Sequence, residues 1–148
     1  QVQTPLMEHV DVLFTTEEDT QRVFGIEGED YQAVAVTLAE RFGFRAVIIT
    51  LREDISVWRN RWSALLYTGG QHYQGPTYEV EIVDRVGAGD SCTAGYIHGA
   101  LAGADPQETI NFAVAFSALK HTVPGDLHFC TEEEADRLLA GGGLRITR

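Results

Sequence analysis

A carboxylate set among small residues, Gly87-Ala88-Gly89-Asp90, is where residue types and spacing in this 148-residue chain converge on a reaction. The run Tyr78 to Val83 reads as a strand with one wet face, and a helix of small residues opens near Ser91. A strand, a tight turn and a helix N-terminus follow one another, so unpaired amides point outward with the helix dipole behind them. Glycines there let the backbone approach a ligand closely. Such a place holds negative charge, and an aspartate inside it would repel an anion. The conflict disappears if Asp90 faces a hydroxyl whose proton it takes while the amides hold the phosphate under attack. The chemistry implied is phosphoryl transfer to an alcohol. Taken without its flanks, the same turn could equally be a strand-to-helix connection capped by Asp90.

The elements that must position this turn are legible on both sides of it. Residues 9–14 read as a short strand, and Thr16-Glu17-Glu18-Asp19 as the capping signature of a helix. Tyr31, Val34, Leu38 and Phe42 keep helical spacing, with Gly43 placed to end that helix. Ala46 to Leu51 is a continuous apolar, largely β-branched run, the pattern of a strand buried on both faces. Strand, helix and strand make a parallel crossover unit. Ser56–Arg59 and Ser63–Tyr67 suggest a hairpin turning at Asn60-Arg61, with Trp58 and Trp62 packed across it, then a loop from Gly69 to Pro76. Beyond the turn, Gly95, Gly99 and Gly103 lay a smooth stripe on one helix face, fit for close helix packing. Asp105-Pro106-Gln107-Glu108 opens a helix that should be buried from Ile110 to Leu119. Thr131 caps a last helix to about Ala140, and Gly141-Gly142-Gly143 releases a tail or short edge strand.

Composition narrows the partners. The net charge is −11, with Lys120 the single lysine beside ten arginines, which argues against nucleic acid or an anionic membrane. Phosphate would be held by backbone amides, arginine and metal. Cys92 and Cys130 read as free thiols of a reducing compartment, so the expected location is cytoplasmic. Cys92 sits where a helix start would lower a thiol pKa, or serves as small buried filler. The five histidines share no metal-ligand spacing, and His98 reads as a packed polar residue. Neither common nucleotide motif is present: Cys92 replaces the third glycine of a dinucleotide fingerprint, and there is no Gly-Lys-Ser/Thr phosphate loop.

The full string Asp84-Arg85-Val86-Gly87-Ala88-Gly89-Asp90 resembles the second signature of the PfkB, or ribokinase-like, family of carbohydrate kinases. Ser117-Ala118-Leu119-Lys120-His121-Thr122-Val123-Pro124-Gly125-Asp126 is most similar to the 2-keto-3-deoxygluconate kinase branch. The resemblance runs from about Val10 to Ala140 and covers the C-terminal half of a typical member. It implies an α/β fold: the C-terminal portion of a three-layer α/β/α sandwich with a mainly parallel sheet. Residues 1–148 are then one domain carrying the nucleotide site and the base, with the N-terminal sugar-binding half and lid absent. It also implies ATP and Mg2+ as cofactors, K+ in cation-activated members, a small sugar or sugar acid as substrate, and a homo-oligomer at full length.

By the same resemblance Asp90 is the base, while Gly87, Ala88, Gly89 and the Asp90 amide form the anion hole. Asp84 matches an aspartate at a monovalent-ion site, or caps local amides. Asp126 matches an acid near the substrate, or is a turn aspartate. Thr16 and Asp19 stand where members carry an Asn-x-x-Glu motif that organises magnesium through water; both depart from that pattern, and a helix cap explains them as well. Nucleotide contacts are expected from Leu51, Arg52, Ala113 and Ser117. Arg52 has a solvated loop as its alternative, and the small helix residues have core packing. Two rivals stay open: fructokinase or ribokinase specificity, and a non-catalytic nucleotide-binding module.

Overall fold

The structure, a computed structural model, describes residues 2–143 and every side chain within them except that of Glu17. It is built around a five-stranded sheet: β1 (Val12–Thr16), β2 (Ala46–Ser56), β3 (Arg59–Thr68), β4 (Gln71–Gln74) and β5 (Tyr78–Glu81). The helices are α1 (Glu17–Asp19), which runs on as a π turn over Thr20–Phe24, α2 (Tyr31–Phe42), α3 (Ala88–Ala102), α4 (Pro106–Lys120) and α5 (Glu132–Leu139).

The expected crossover is present. β1 lies parallel to β2 with Val12 opposite Ala46 and Thr16 opposite Thr50, and α2 connects them. Asp30 starts α2 by accepting the Ala33 amide at 2.8 Å, and Gly43 ends it in the left-handed region at φ 77°. The first strand is displaced from residues 9–14, because a proline-led 3-10 turn takes up Thr4–His9 and the strand continues to Thr16.

The rest of the sheet is antiparallel, so within this portion it is mixed rather than mainly parallel. The hairpin turns at Val57-Trp58, not at Asn60-Arg61; β2 and β3 pair from Ala46–Thr68 out to Ser56–Arg59. The far end of that ribbon is exposed and charged, with Arg61 donating to both Glu53 oxygens at 2.8 and 3.0 Å. It has no alternating apolar face to betray it as strand. Trp58 therefore lies exposed at the tip, while Trp62 is buried against the His121 ring, and the two do not pack across the turn. A second hairpin was also hidden: Gly69 and Gly70 both take positive φ, and β4 returns along β3. β4 and β5 share one edge of β3, pairing with its two ends.

Helices cover both faces. α2 packs on one, where Val34, Leu38, Val47, Ile49 and Leu65 form a core. α4 packs on the other, over Ile48, Leu66 and Val80. Its Ile110, Val114 and Leu119 are buried, each stabilising by about 1.5–3 kcal/mol on the usual area scale. Asp105 starts α4 by accepting the Glu108 amide at 2.9 Å. α3 lies on α4 along the glycine stripe: a Cβ on Gly95 would sit 2.7 Å from the Ala113 Cα, and one on Gly99 would sit 2.9 Å from the Thr109 hydroxyl. A capping box between Thr131 and Glu134 opens α5, which closes the layer against α4. The tail beyond Gly143 lies outside the described residues.

Candidate active site

The turn from β5 into α3 is held from beneath. The His121 carbonyl accepts the amides of Val83 at 2.8 Å and Asp84 at 3.2 Å. Asp84 then caps two turns at once, its Oδ1 accepting the Val86 amide at 3.0 Å and its Oδ2 the Gly125 amide at 2.9 Å. Those two bonds, the Val86 one foremost, hold the Asp84 carboxyl below the usual range. Gly87 follows with φ 80°, pressed so closely on Asp126 that a Cβ would fall 2.4 Å from the Asp126 carbonyl oxygen. The helix begins at Ala88, three residues ahead of Ser91.

Of the four amides expected to form an anion hole, one is spent. Ala88 donates to the Arg85 carbonyl at 3.3 Å, whereas the Gly87, Gly89 and Asp90 amides have no partner among the described residues. The Asp90 carboxylate is exposed and likewise makes no hydrogen bond or ion pair among the described residues. A Cβ on Gly89 would meet no atom within 4 Å, so the turn is open on that side. Three unbonded donors beside a free carboxylate at a helix start can hold a transferring phosphoryl group and take a proton next to it.

Alongside this turn lies a cavity of about 370 Å³ at the carboxyl end of β1, where Thr16, Leu51, Arg52, Ala88 and Gly89 meet. Five residues expected from the sequence are thus brought together by strand ends and a helix start, the usual place for a ligand in an α/β sheet. Its wall also contains Arg85, Trp62 and His121, which sequence reasoning left unassigned. Arg85 and His121 each stand inside one of the two strings that carry the resemblance, which was the available signal; Trp62 gave none. The Trp62 indole N–H is buried and has no partner among the described residues. Burial lowers the pKa of His121, whose Nδ1 lies 2.9 Å from the Ser117 carbonyl, so this wall carries an uncharged imidazole.

Two other candidates, Ala113 and Ser117, take the core-packing alternative. Ala113 is fully buried under Gly95, and Ser117 is fully buried with its hydroxyl donating to the Ala88 carbonyl at 2.7 Å. Neither has surface to offer a nucleotide; Ser117 fastens the start of α3 instead. Cys92 is buried and its thiol is pushed up to about 12, so it is filler and no nucleophile. His98 is exposed, 3.3 Å from Glu132. Asp126 is exposed beside the anion turn, with its Oδ1 3.0 Å from the position of a Gly87 Cβ.

Thr16 and Asp19 hold each other: the Thr16 hydroxyl donates to Asp19 at 2.8 Å and accepts the Asp19 amide at 3.1 Å. That is a helix cap, and Thr16 contributes to the cavity wall from it. Among the described residues no three His, Cys, Asp or Glu side chains gather as a metal site. Thr16 thus offers the cavity a polar wall, while Asp19, which does not line it, holds Thr16 in place.

The chain is 35% identical over 143 residues to the 2-dehydro-3-deoxygalactonokinase of Haloferax volcanii, covering 97% of this chain and 42% of that protein. It is 29% identical over 131 residues to the 2-dehydro-3-deoxygluconokinase of Thermoproteus tenax, covering 88% and 37%. The crystal structure of the 2-dehydro-3-deoxygluconokinase from Thermotoga maritima superposes with a TM-score of 0.91 at 44% identity, over 95% of this chain and 44% of that one. The chain thus spans about two-fifths of the length of the curated relatives it matches. A profile of the pfkB family carbohydrate kinases matches residues 1–134, a span that includes the anion turn, the cavity and the strands beneath them, and the chain belongs to that family.

Proposed function

We propose that the protein transfers the γ-phosphoryl group of ATP to a hydroxyl of 2-keto-3-deoxygluconate, forming the 6-phosphate, and that this chain is the C-terminal portion bearing the base and the nucleotide side. The observation that carries the reading is the exposed, unpartnered Asp90 carboxylate on the same helix start as three unbonded amides. The sugar-acid choice draws on the likeness to the two deoxy-sugar-acid kinases of Haloferax volcanii and Thermotoga maritima.

In this reading Asp90 takes the proton of the acceptor hydroxyl as its oxygen attacks the γ-phosphorus and the bond to the β-phosphate oxygen breaks. The amides of Gly87, Gly89 and Asp90 receive the charge that builds on the phosphoryl oxygens. Arg52 and Arg85, on the cavity wall, face the polyphosphate, and Leu51 lies toward the adenine of the nucleotide. Asp126 lies toward the acceptor. A magnesium ion bound with the nucleotide would supply charge neutralisation at the phosphates. Thr16, held by its bonds to Asp19, is the polar wall residue on that side.

A coupled assay of ADP release by the complete protein tests this, with 2-keto-3-deoxygluconate, its galactonate epimer, fructose and ribose as acceptors. Turnover highest with the gluconate acid is the expected result. Preference for fructose or ribose would overturn the substrate, and ATP binding without any turnover would favour a non-catalytic nucleotide module.

A further inference from the structure

The single lysine of the chain is fully buried. Lys120 Nζ donates to the Val123 carbonyl at 3.1 Å, and among the described residues no carboxylate lies within ion-pair distance of it. An interior ammonium with so little compensation costs several kcal/mol, roughly the scale of a broken buried pair. Its position gives that cost a use. The Lys120 Cε would lie 3.2 Å from a Cβ on Gly87, so the side chain runs directly behind the anion turn. One short loop fixes the arrangement: the Val123 carbonyl meets Lys120, the Gly125 amide meets Asp84, and the Asp126 carbonyl crowds Gly87.

Asp84 is the residue matched to a monovalent-ion site in cation-activated relatives, and here it does not fit one. Its two oxygens are turned to the Val86 and Gly125 amides, and an ion beside it would meet the like charge of Lys120. We infer that Lys120 takes the place of a bound monovalent cation: its fixed charge lies behind the Gly87–Asp90 amides and strengthens their hold on the phosphoryl oxygens, so turnover does not depend on K+. Lys120 touches neither substrate nor nucleotide; it is a positioning residue acting through the turn. The inference rests on the phosphoryl-transfer reading above.

The test uses the complete protein. Wild-type turnover is measured in potassium and in tetramethylammonium salts at equal ionic strength, then in Lys120→Met and Lys120→Ala. Equal wild-type rates in both salts are expected. Lys120→Met should lower kcat by on the order of tenfold to a hundredfold with the sugar KM little changed. Lys120→Ala should regain turnover with added propylammonium and not with propanol, which fills the same space without charge. A wild-type enzyme that needs K+ overturns the inference, whether or not either variant folds. So does full turnover in Lys120→Met, or rescue by propanol as good as by propylammonium. No sugar-dependent turnover in either salt would instead overturn the kinase reading on which the inference stands.

Discussion

Asp84 accepts the Gly125 amide at 2.9 Å across 41 residues of sequence, and this bond joins the anion turn to the loop after α4. With the Val86 bond it makes one carboxylate the shared cap of two turns. The site is thus rigid where the amides must stay aimed and open where Gly89 faces outward.

The bonds to Asp84 make a pH prediction. Its folded pKa is lowered by the Val86 and Gly125 amides, so its stabilisation is complete above the unfolded carboxylate value of about 3.9 and is lost as pH falls through the depressed folded value. Asp84→Ala should melt below wild type at pH 7, and the gap should narrow as pH drops under about 4. Circular-dichroism melts from pH 7 to pH 2.5 check this; a gap of constant size would count against the role.

Gly87 and Gly89, two residues apart, should respond in opposite ways. Gly87→Ala places a methyl into the Asp126 carbonyl at positive φ and should cost about 2–5 kcal/mol of stability. Gly89→Ala meets no neighbour within 4 Å, so the melting temperature should hold while the methyl intrudes on the anion site and turnover falls. Melting curves beside steady-state rates would separate the two; a stable Gly87→Ala would refute the packing described.

Asp90→Asn keeps shape and removes the base. Turnover should fall by about 10²–10⁴ while nucleotide affinity, read by calorimetry, changes by less than about threefold. Unchanged turnover would remove the assignment.

His128 stacks on Phe116 with ring centroids 3.9 Å apart, and both its nitrogens are buried without partners among the described residues. Burial, and then the Lys120 charge, push its pKa down to about 4. Between that value and about 6.5 the unfolded chain binds more protons, so wild-type stability declines as pH falls through this window. His128→Phe removes the titration. The variant's melting temperature relative to wild type should rise steadily from pH 7 to pH 4, and a flat difference would contradict the burial.

What the sequence determined by itself was local: the caps of α1, α4 and α5, the glycine that ends α2, the parallel crossover and the Gly87–Asp90 turn. These signals are written by near neighbours, since a cap or a left-handed glycine is decided within four residues of itself. Tertiary structure alone decided the rest. The Val57-Trp58 hairpin, β4, and the sharing of one β3 edge by two strands depend on register between distant segments, which charged and exposed residues do not announce. Only packing showed that Ala113 and Ser117 face α3 rather than a ligand, that Trp62 and His121 line the cavity, and that the single lysine lies behind the turn. The turn's chemistry is carried by side chains adjacent in sequence, whereas its electrostatic surroundings come from a loop more than thirty residues away, and folding is what brings the two together.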